Sequence, residues 1–358
     1  MNEGRFIPVS DRAAWQSATS GWPADAIDIY FSAGYHEAFA AAAGLAAVLY
    51  AFGDRGERFL YPFVISPIDR VGEREIPGGY SDIETVYGFC GPLATTTDPA
   101  FLAAAWQRFD DWCRARHVVA EFMRLNPLLR NERFCPASMT TSVVREHVVL
   151  DLTQTEEAIW KGYSSINRNM IRKAEKSGVG CRIVPFGEVL PRFVELYHAT
   201  MDRNVAGDSY YFTAEQFGVL ERTTPCFACV ATIDDRVEAV SLFLDAGPRV
   251  HYHLSGCSAV GLKVAASNLI LHTVVLEARR RLAQVFHFGG GRTGAPDDSL
   301  LKFKSNFSRE RLPVLIGRRV HDSRAYGMLC DVRRSQVAEI PQGYFLAYRY
   351  EPASRTHA

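Results

Sequence analysis

The chain has 358 residues, 47% of them hydrophobic and 22% charged, which is ordinary globular composition and enough length for two cores rather than one. Basic and acidic residues balance at 40 each, which excludes a protein that coats nucleic acid through a general positive field and confines any RNA contact to a local patch. Met1 to Ser10 carries no apolar stretch behind a basic one, and no window approaches the about 18 apolar residues of a membrane span, so a cytoplasmic monomer without membrane insertion is expected.

Ala38 to Ala47 is alanine-rich and reads as a helix. Val48 to Phe52 reads as a strand, and Asp54-Arg55-Gly56 turns it into a second strand, Phe59 to Ile65. Thr85 to Pro92 reads as a strand stopped by Gly-Pro. Pro99 to Arg116 is an amphipathic helix with Leu102, Trp106, Phe109 and Trp112 on one face, followed by a buried strand, Val118 to Leu125.

A boundary falls near residues 135 to 147, after which the grammar repeats. His147 to Leu152 is a strand handing over at Thr153, where Glu156 completes a capping box for one long helix. A strand at Cys181 to Phe186 precedes a helix at Leu190 to Asn204 and another after Phe212, where Thr213 and Gln216 form a second capping box. Phe227 to Ile233, Val237 to Leu244 and Arg249 to Ser255 form a meander. A helix from about Val264 to Ala283, with Leu271, Val274, Val275, Ala278 and Leu282 on one face, closes it. Val285 to Phe288 is a strand, Gly289-Gly290-Gly291 a turn, Leu300 to Phe307 a short helix and Leu312 to Ile316 a last strand. The expected fold class is α/β (α+β), with tandem lobes of mixed, mostly antiparallel sheets flanked by helices. The lobes are residues 1–145 and 146–317, and residues 318–358 pack back on the first.

Eight scattered cysteines read as reduced core residues. Cys226 and Cys229 lie close together but have no second pair at zinc-site spacing, so no metal is expected.

Lys304 lies between Phe303 and Phe307 just after a glycine-rich loop, where its ammonium can be held against apolar surface and stabilise an oxyanion. The competing reading is a surface lysine on an amphipathic helix. Asp298 could set the charge of that lysine or simply cap its helix. The glycine triplet lacks a Walker A context and reads as a strand-end turn. On the long helix Ile159, Tyr163, Ile166, Met170 and Ala174 make an apolar face, while Lys161, Arg168, Arg172 and Lys176 make a basic stripe that fits either phosphate contact or a solvated face. His251 and His253 alternate along a strand and should project from one side as polar groups near a cleft.

The run Phe286-His-Phe288-Gly-Gly-Gly291, then Leu300-Leu-Lys-Phe303-Lys304-Ser-Asn-Phe307, resembles the FemABX family, in which a Gly-Gly segment precedes a Phe-Lys pair and another aromatic. Phe31-Ser32, Tyr87-Gly-Phe-Cys-Gly91-Pro92, Phe122-Met-Arg124-Leu-Asn-Pro127 and Asn167 to Gly178 extend the resemblance from about residue 28 to 316. It implies two GNAT-like lobes and transfer of an amino acid from aminoacyl-tRNA to an amine on a small peptide or nucleotide-linked acceptor, with no cofactor. Lys304 and Phe303 would be catalytic. Thr200, Arg203, Tyr211, Tyr252, His253, Arg168, Arg172 and Asp298 would bind substrates.

Two departures qualify the resemblance. Ser32 to Asp54 contains no Lys or Arg, whereas members acting on UDP-linked precursors carry a lysine there, and no coiled-coil arm interrupts the second half. An acyl-CoA-dependent N-acyltransferase is the alternative. It is disfavoured because Gly256 to Ala265 lacks the Arg/Gln-x-x-Gly-x-Gly/Ala loop that binds pyrophosphate. A non-catalytic binding module is the third reading.

Overall fold

The computed structural model describes residues 3–295 and 297–352. The chain divides into two compact units, one made of Met1–Gly21, Tyr30–Val143 and Leu315–Ala358, the other of Trp22–Ile29 and Val144–Val314. Among the described residues no helix is long and apolar enough to cross a membrane.

The first unit runs β1 (Glu3–Pro8), α1 (Arg12–Thr19), α2 (Ala33–Phe39), β2 (Ala46–Asp54), β3 (Glu57–Pro67), the small β4 (Arg70–Val71) and β5 (Arg74–Glu75), β6 (Ser81–Glu84), β7 (Leu93–Ala94), α3 (Pro99–Ala115) and β8 (Val118–Arg124). The second takes most of β9 (Thr140–Asp151), then α4 (Glu156–Gly162), α5 (Ser165–Lys176), β10 (Gly180–Val184), α6 (Leu190–Arg203), α7 (Ala214–Thr223), β11 (Cys226–Ile233), β12 (Arg236–Asp245), β13 (Arg249–Cys257), α8 (Ala259–Lys263), α9 (Ala266–Arg280), β14 (Val285–Gly290) and α10 (Ser299–Ser305). β15 (Arg311–Val320) and α11 (Ser323–Arg334) carry the chain back to the first.

Both units use the same succession of strand directions. In the first, β1, β2, β3 and β6 pair antiparallel in turn, β6 pairs β8 in parallel, and β8 pairs β15 antiparallel. In the second, β10, β11, β12 and β13 pair antiparallel, β13 pairs β14 in parallel, and β14 pairs β9 antiparallel. Within each unit the strand pairing is thus mixed and mostly antiparallel, the class expected from the sequence. The core of the second unit is built on α9, whose Leu271, Val274, Val275 and Ala278 are buried with Phe243, Phe286, Phe288 and Phe307.

Local expectations differ at identifiable points. Ala38 to Ala47 is not one helix. Ser32 accepts a hydrogen bond from Tyr35 N–H and starts α2 early, so that Tyr35, His36 and Phe39 are buried, and Gly44 at φ +75 ends the run before Ala46 enters β2. Burial outweighs alanine's helix preference here. Thr85 to Pro92 lies beyond its strand, which is Ser81–Glu84, and Gly88 at φ +104 packs where a Cβ would strike the rings of Tyr30 and Tyr35.

The long helix after Thr153 is two helices. The Thr153 hydroxyl donates to Asp151, and the first cap is Thr155. Tyr163 and Ser164 are extended, and Ser164 caps α5 by accepting from Asn167 N–H. The break turns α5 so that Asn167, Ile171 and Ala174 are buried while Ile166 is 63% exposed. α9 stops at Arg280, and Leu282 at φ +63 points to solvent instead of continuing the apolar face. The Thr213–Gln216 capping box is formed as read.

Candidate active site

The parallel ladder of β13 and β14 has only three rungs, Arg249↔Val285, Val250↔Phe286 and His251↔His287. Beyond the last rung β13 runs on to Cys257 and β14 to Gly290 without pairing each other, which makes a fork. Both strands are irregular at this point. The β12 register passes from Leu242↔Leu254 to Phe243↔Tyr252, leaving His253 as a bulged extra residue, and β14 slips between His287 and Gly289. The expected strict alternation of His251 and His253 therefore breaks.

α10 begins at Asp298, whose carboxylate accepts hydrogen bonds from the N–H groups of Leu300 and Leu301 and from Arg292 N–H, Thr293 N–H and the Thr293 hydroxyl. Burial would raise its pKa, but these hydrogen bonds outweigh it and bring the carboxyl down to about 2. Gly291 has no room for a side chain, since a Cβ would lie 2.5 Å from Asp298 Oδ1. Asp298 thus caps the helix and clasps the preceding turn to it.

This clasp sets Lys304 at the fork. The side chain is only 8% exposed, its Nζ donates to Gly290 O at 2.7 Å, and it lies 5.5 Å from the centroid of the Tyr252 ring. Burial pushes the Lys304 pKa down to about 7, the Asp298 charge opposing that shift and the Arg145 charge adding to it. The lysine is accordingly buried, and the surface reading of it is set aside. Such a group can polarise a carbonyl as an ammonium and still exchange its proton near neutrality. Phe303 is half-buried against the core, 5.7 Å from Phe307, and steadies α10.

Sequence reasoning missed a row of buried polar groups beside this lysine. His251 Nε2 lies 2.9 Å from Asp28 Oδ1, His251 Nδ1 lies 3.0 Å from His287 Nδ1, and His287 Nε2 lies 2.8 Å from His147 Nδ1. Asp28 belongs to the Trp22–Ile29 segment of this unit, which Arg249 holds by donating to the carbonyls of Ala24, Asp25 and Ile27. The only sequence signal for the row is the histidine content of β9, β13 and β14. His253 stays outside it and is half-buried, with burial lowering its pKa to about 3.

Thr200 and Arg203 form a second group at the far end of β13. The Thr200 hydroxyl accepts from Cys257 N–H at 3.1 Å and donates to Leu196 O, and Arg203 donates to Thr200 and to Cys257 O, each at 3.0 Å. Gly256 lies against the α6 backbone, where a Cβ would be 2.5 Å from Leu196 C. The pair therefore fastens α6 to β13. Tyr211 donates to Asp202 at 2.8 Å near the exposed end of α6.

Arg168 is turned inward along α5, its guanidinium donating to the carbonyls of Trp160, Lys161 and Tyr163 at the end of α4. Arg172 is exposed and stacks over Trp160 at 5.3 Å. The continuous basic stripe is thereby split, with Arg168 engaged by backbone and Arg172 left on the surface. All eight cysteines are free thiols, and among the described residues no cluster of His, Cys, Asp and Glu is arranged to hold a metal ion.

Residues 134–218 match the FemAB family. They include Arg168, Arg172, Thr200, Arg203 and Tyr211 and stop before Tyr252 and Lys304. Among solved structures, FemX is similar at 14% identity over 91% of this chain and 99% of its own, with a TM-score of 0.66. The C-terminal domain of a protein assigned as a lysylphosphatidylglycerol synthetase in Agrobacterium fabrum is 12% identical over 87% of this chain and 91% of that one, with a TM-score of 0.56. A conserved protein of unknown function from Bacteroides thetaiotaomicron is 10% identical over 89% and 100%, with a TM-score of 0.53. At such identities the likeness is one of fold. Among curated proteins none matches the sequence.

Proposed function

We propose that this protein belongs to the FemABX family, with a GNAT-like fold, and is an aminoacyltransferase that forms an amide bond between an amino acid carried as its tRNA ester and an amine of a small peptide or nucleotide-linked acceptor, a reading supported by the match over residues 134–218 and the likeness of fold to FemX. The observation that carries the reading is the Lys304 ammonium, buried at the fork over Tyr252 with a pKa about 7. Aminolysis of an activated ester requires orientation and charge stabilisation at the carbonyl oxygen more than covalent machinery, and one well-placed donor is worth about 3 kcal/mol. A non-catalytic binding module has no use for an ammonium whose burial costs stability.

The choice of tRNA over acyl-CoA as donor is supported by the loop after β13. The Glu238 carboxylate accepts a hydrogen bond from Ser258 at the start of α8, which sets a negative charge beside that helix start. The Gly261 N–H is already engaged, donating to the Ser258 hydroxyl oxygen at 3.0 Å, and a Cβ at Gly261 would meet Cys257 Sγ and Glu238 O at 2.8 Å each. Gly256 and Gly261 serve packing. The exposed Arg172 is the residue assigned here to the RNA backbone, an interaction that weakens with salt.

The test is to combine the purified protein with a cell extract that supplies tRNA, synthetases and labelled amino acids, then compare product with and without ribonuclease. Loss of product on ribonuclease treatment is expected. Ribonuclease-resistant product, or saturable binding of acetyl-CoA at micromolar concentration, transfers the assignment to the acyl-CoA-dependent class.

A further inference from the structure

Arg145 stands on β9 two residues before His147 and is half-buried. Strand alternation puts both side chains on one face of β9. The chain that leaves β14 runs along this stretch, for a Cβ on Gly290 would lie 2.9 Å from Glu146 O and a Cβ on Gly294 would lie 2.5 Å from Val144 O. Arg145 is thus bracketed by Gly294 on one side and on the other by Gly290, whose carbonyl receives Lys304 Nζ. Its charge is felt there, since it adds to the lowering of the pKa of both Lys304 and His147.

Other arginines of this unit are held by protein oxygens. Arg203 donates to Thr200 and Cys257 O, Arg292 to Asn204 and Ser299, and Arg311 to the carbonyls of Ser308 and Glu310. Arg145 differs from them, because among the described residues it makes no hydrogen bond and no ion pair. Asp298, whose charge favours the Lys304 ammonium, already accepts five hydrogen bonds. Two cations set side by side away from bulk water repel each other, and a bound anion would relieve the repulsion. A guanidinium presents five donors in a planar fork that matches a carboxylate or a phosphate.

We propose that Arg145 anchors the acceptor by binding an oxyanion, carboxylate or phosphate, that the acceptor carries a few bonds from its reactive amine, an inference that rests on the functional reading given above. The two-point grip of the guanidinium orients the amine toward Lys304 and selects acidic acceptors over neutral amines of similar size. It also couples acceptor binding to the charge of the lysine. The groups facing Lys304 are Asp298 at the start of α10, Arg145 and His147 on β9, Tyr252 on β13 and His287 on β14. Of these, Asp298 favours the ammonium and Arg145 opposes it. An oxyanion on Arg145 cancels that opposition, so Lys304 is held as an ammonium once the acceptor is in place, the form that stabilises charge on the ester carbonyl oxygen.

The test reads Lys304 itself and needs no turnover. Full-length protein carrying isotope-labelled lysine Cε, with the Lys304 signal assigned by its loss in Lys304→Met, is titrated with pH alone and then with inorganic phosphate or acetate at matched ionic strength. In wild type an oxyanion should raise the Lys304 pKa from about 7 by about one pH unit. Arg145→Gln should start from a higher Lys304 pKa, because the like charge is gone, and should bind the same anion at least about tenfold more weakly. Arg145→Lys keeps the charge and should start near wild type while losing the two-point grip. Phosphate acting at lower concentration than acetate marks a phosphorylated acceptor, and the reverse order marks a carboxylate. A wild-type Lys304 that neither anion moves, or an equal response in Arg145→Gln, overturns the anchor. Ribonuclease-resistant product, or turnover retained by Lys304→Met, sinks the functional reading instead and leaves the anion response of Lys304 as measured.

Discussion

Lys304 Nζ rests 5.5 Å from the centre of the Tyr252 ring while Gly290 O takes one of its protons at 2.7 Å. The ring face attracts the cation. Neither contact replaces lost hydration, so the charged and neutral forms come close in free energy near neutrality.

Lys304→Met should lower turnover at least about tenfold, the direct consequence of removing a charge from the carbonyl oxygen. Stability gives a separate readout. The folded pKa of about 7 lies below the ordinary lysine value of 10.5, so between these the unfolded chain binds more protons and wild-type stability rises with pH. Below about pH 7 the cost of burying the ammonium is present in full. The melting temperature of the variant relative to wild type should therefore be highest near pH 7 and fall as pH rises toward 10. A flat difference across that range, with near-wild-type turnover, would return Lys304 to the class of surface lysines.

Arg168 and Arg172 should respond differently although one helical turn separates them. Arg168→Gln removes a guanidinium shared by three carbonyls at the end of α4 and should cost about 1–2 kcal/mol of stability, visible in a denaturant melt. Arg172→Gln should leave stability within about 0.5 kcal/mol and instead weaken tRNA binding while flattening its salt dependence. Unchanged affinity and salt slope in the Arg172 variant would mean that this face only meets water.

Asp298→Asn should lower the melting temperature at neutral pH, because an amide cannot match the carboxylate on all five of its hydrogen bonds. The folded pKa of about 2 is below the ordinary carboxyl value of 3.8, so the contribution is complete above about pH 4 and disappears as pH falls through about 2. Wild type and variant should converge in acid. A constant gap from pH 7 to pH 2 would assign the loss to packing alone.

Lys304 and its Asp298 cap were legible because they lie within one short segment, where spacing along a helix fixes their relationship. The antiparallel meander was equally legible, since its turns and alternating strands are local. The row of imidazoles was not. His147, His251 and His287 stand on β9, β13 and β14, and their meeting depends on which strands become neighbours and on a bulge at His253 that breaks the alternation the sequence suggests. The break between α4 and α5 was hidden for a related reason. Ser164 N–H donates to Asn306 O and its hydroxyl to Asn306 Oδ1, so a distant residue ends what local propensity would continue.

The Trp22–Ile29 segment has a consequence for how this polypeptide comes into being. It leaves the ribosome long before residues 144–314, the rest of the unit to which it belongs. Until they emerge, the donors of Arg249 that will grip Ala24, Asp25 and Ile27 do not exist, and Asp28 has no imidazole to meet. The second unit is a split domain whose closing piece is synthesised first and must wait. A gene fragment opening at residue 144 would lack that piece, whereas supplying residues 22–29 as a separate peptide would offer the missing carboxylate in trans.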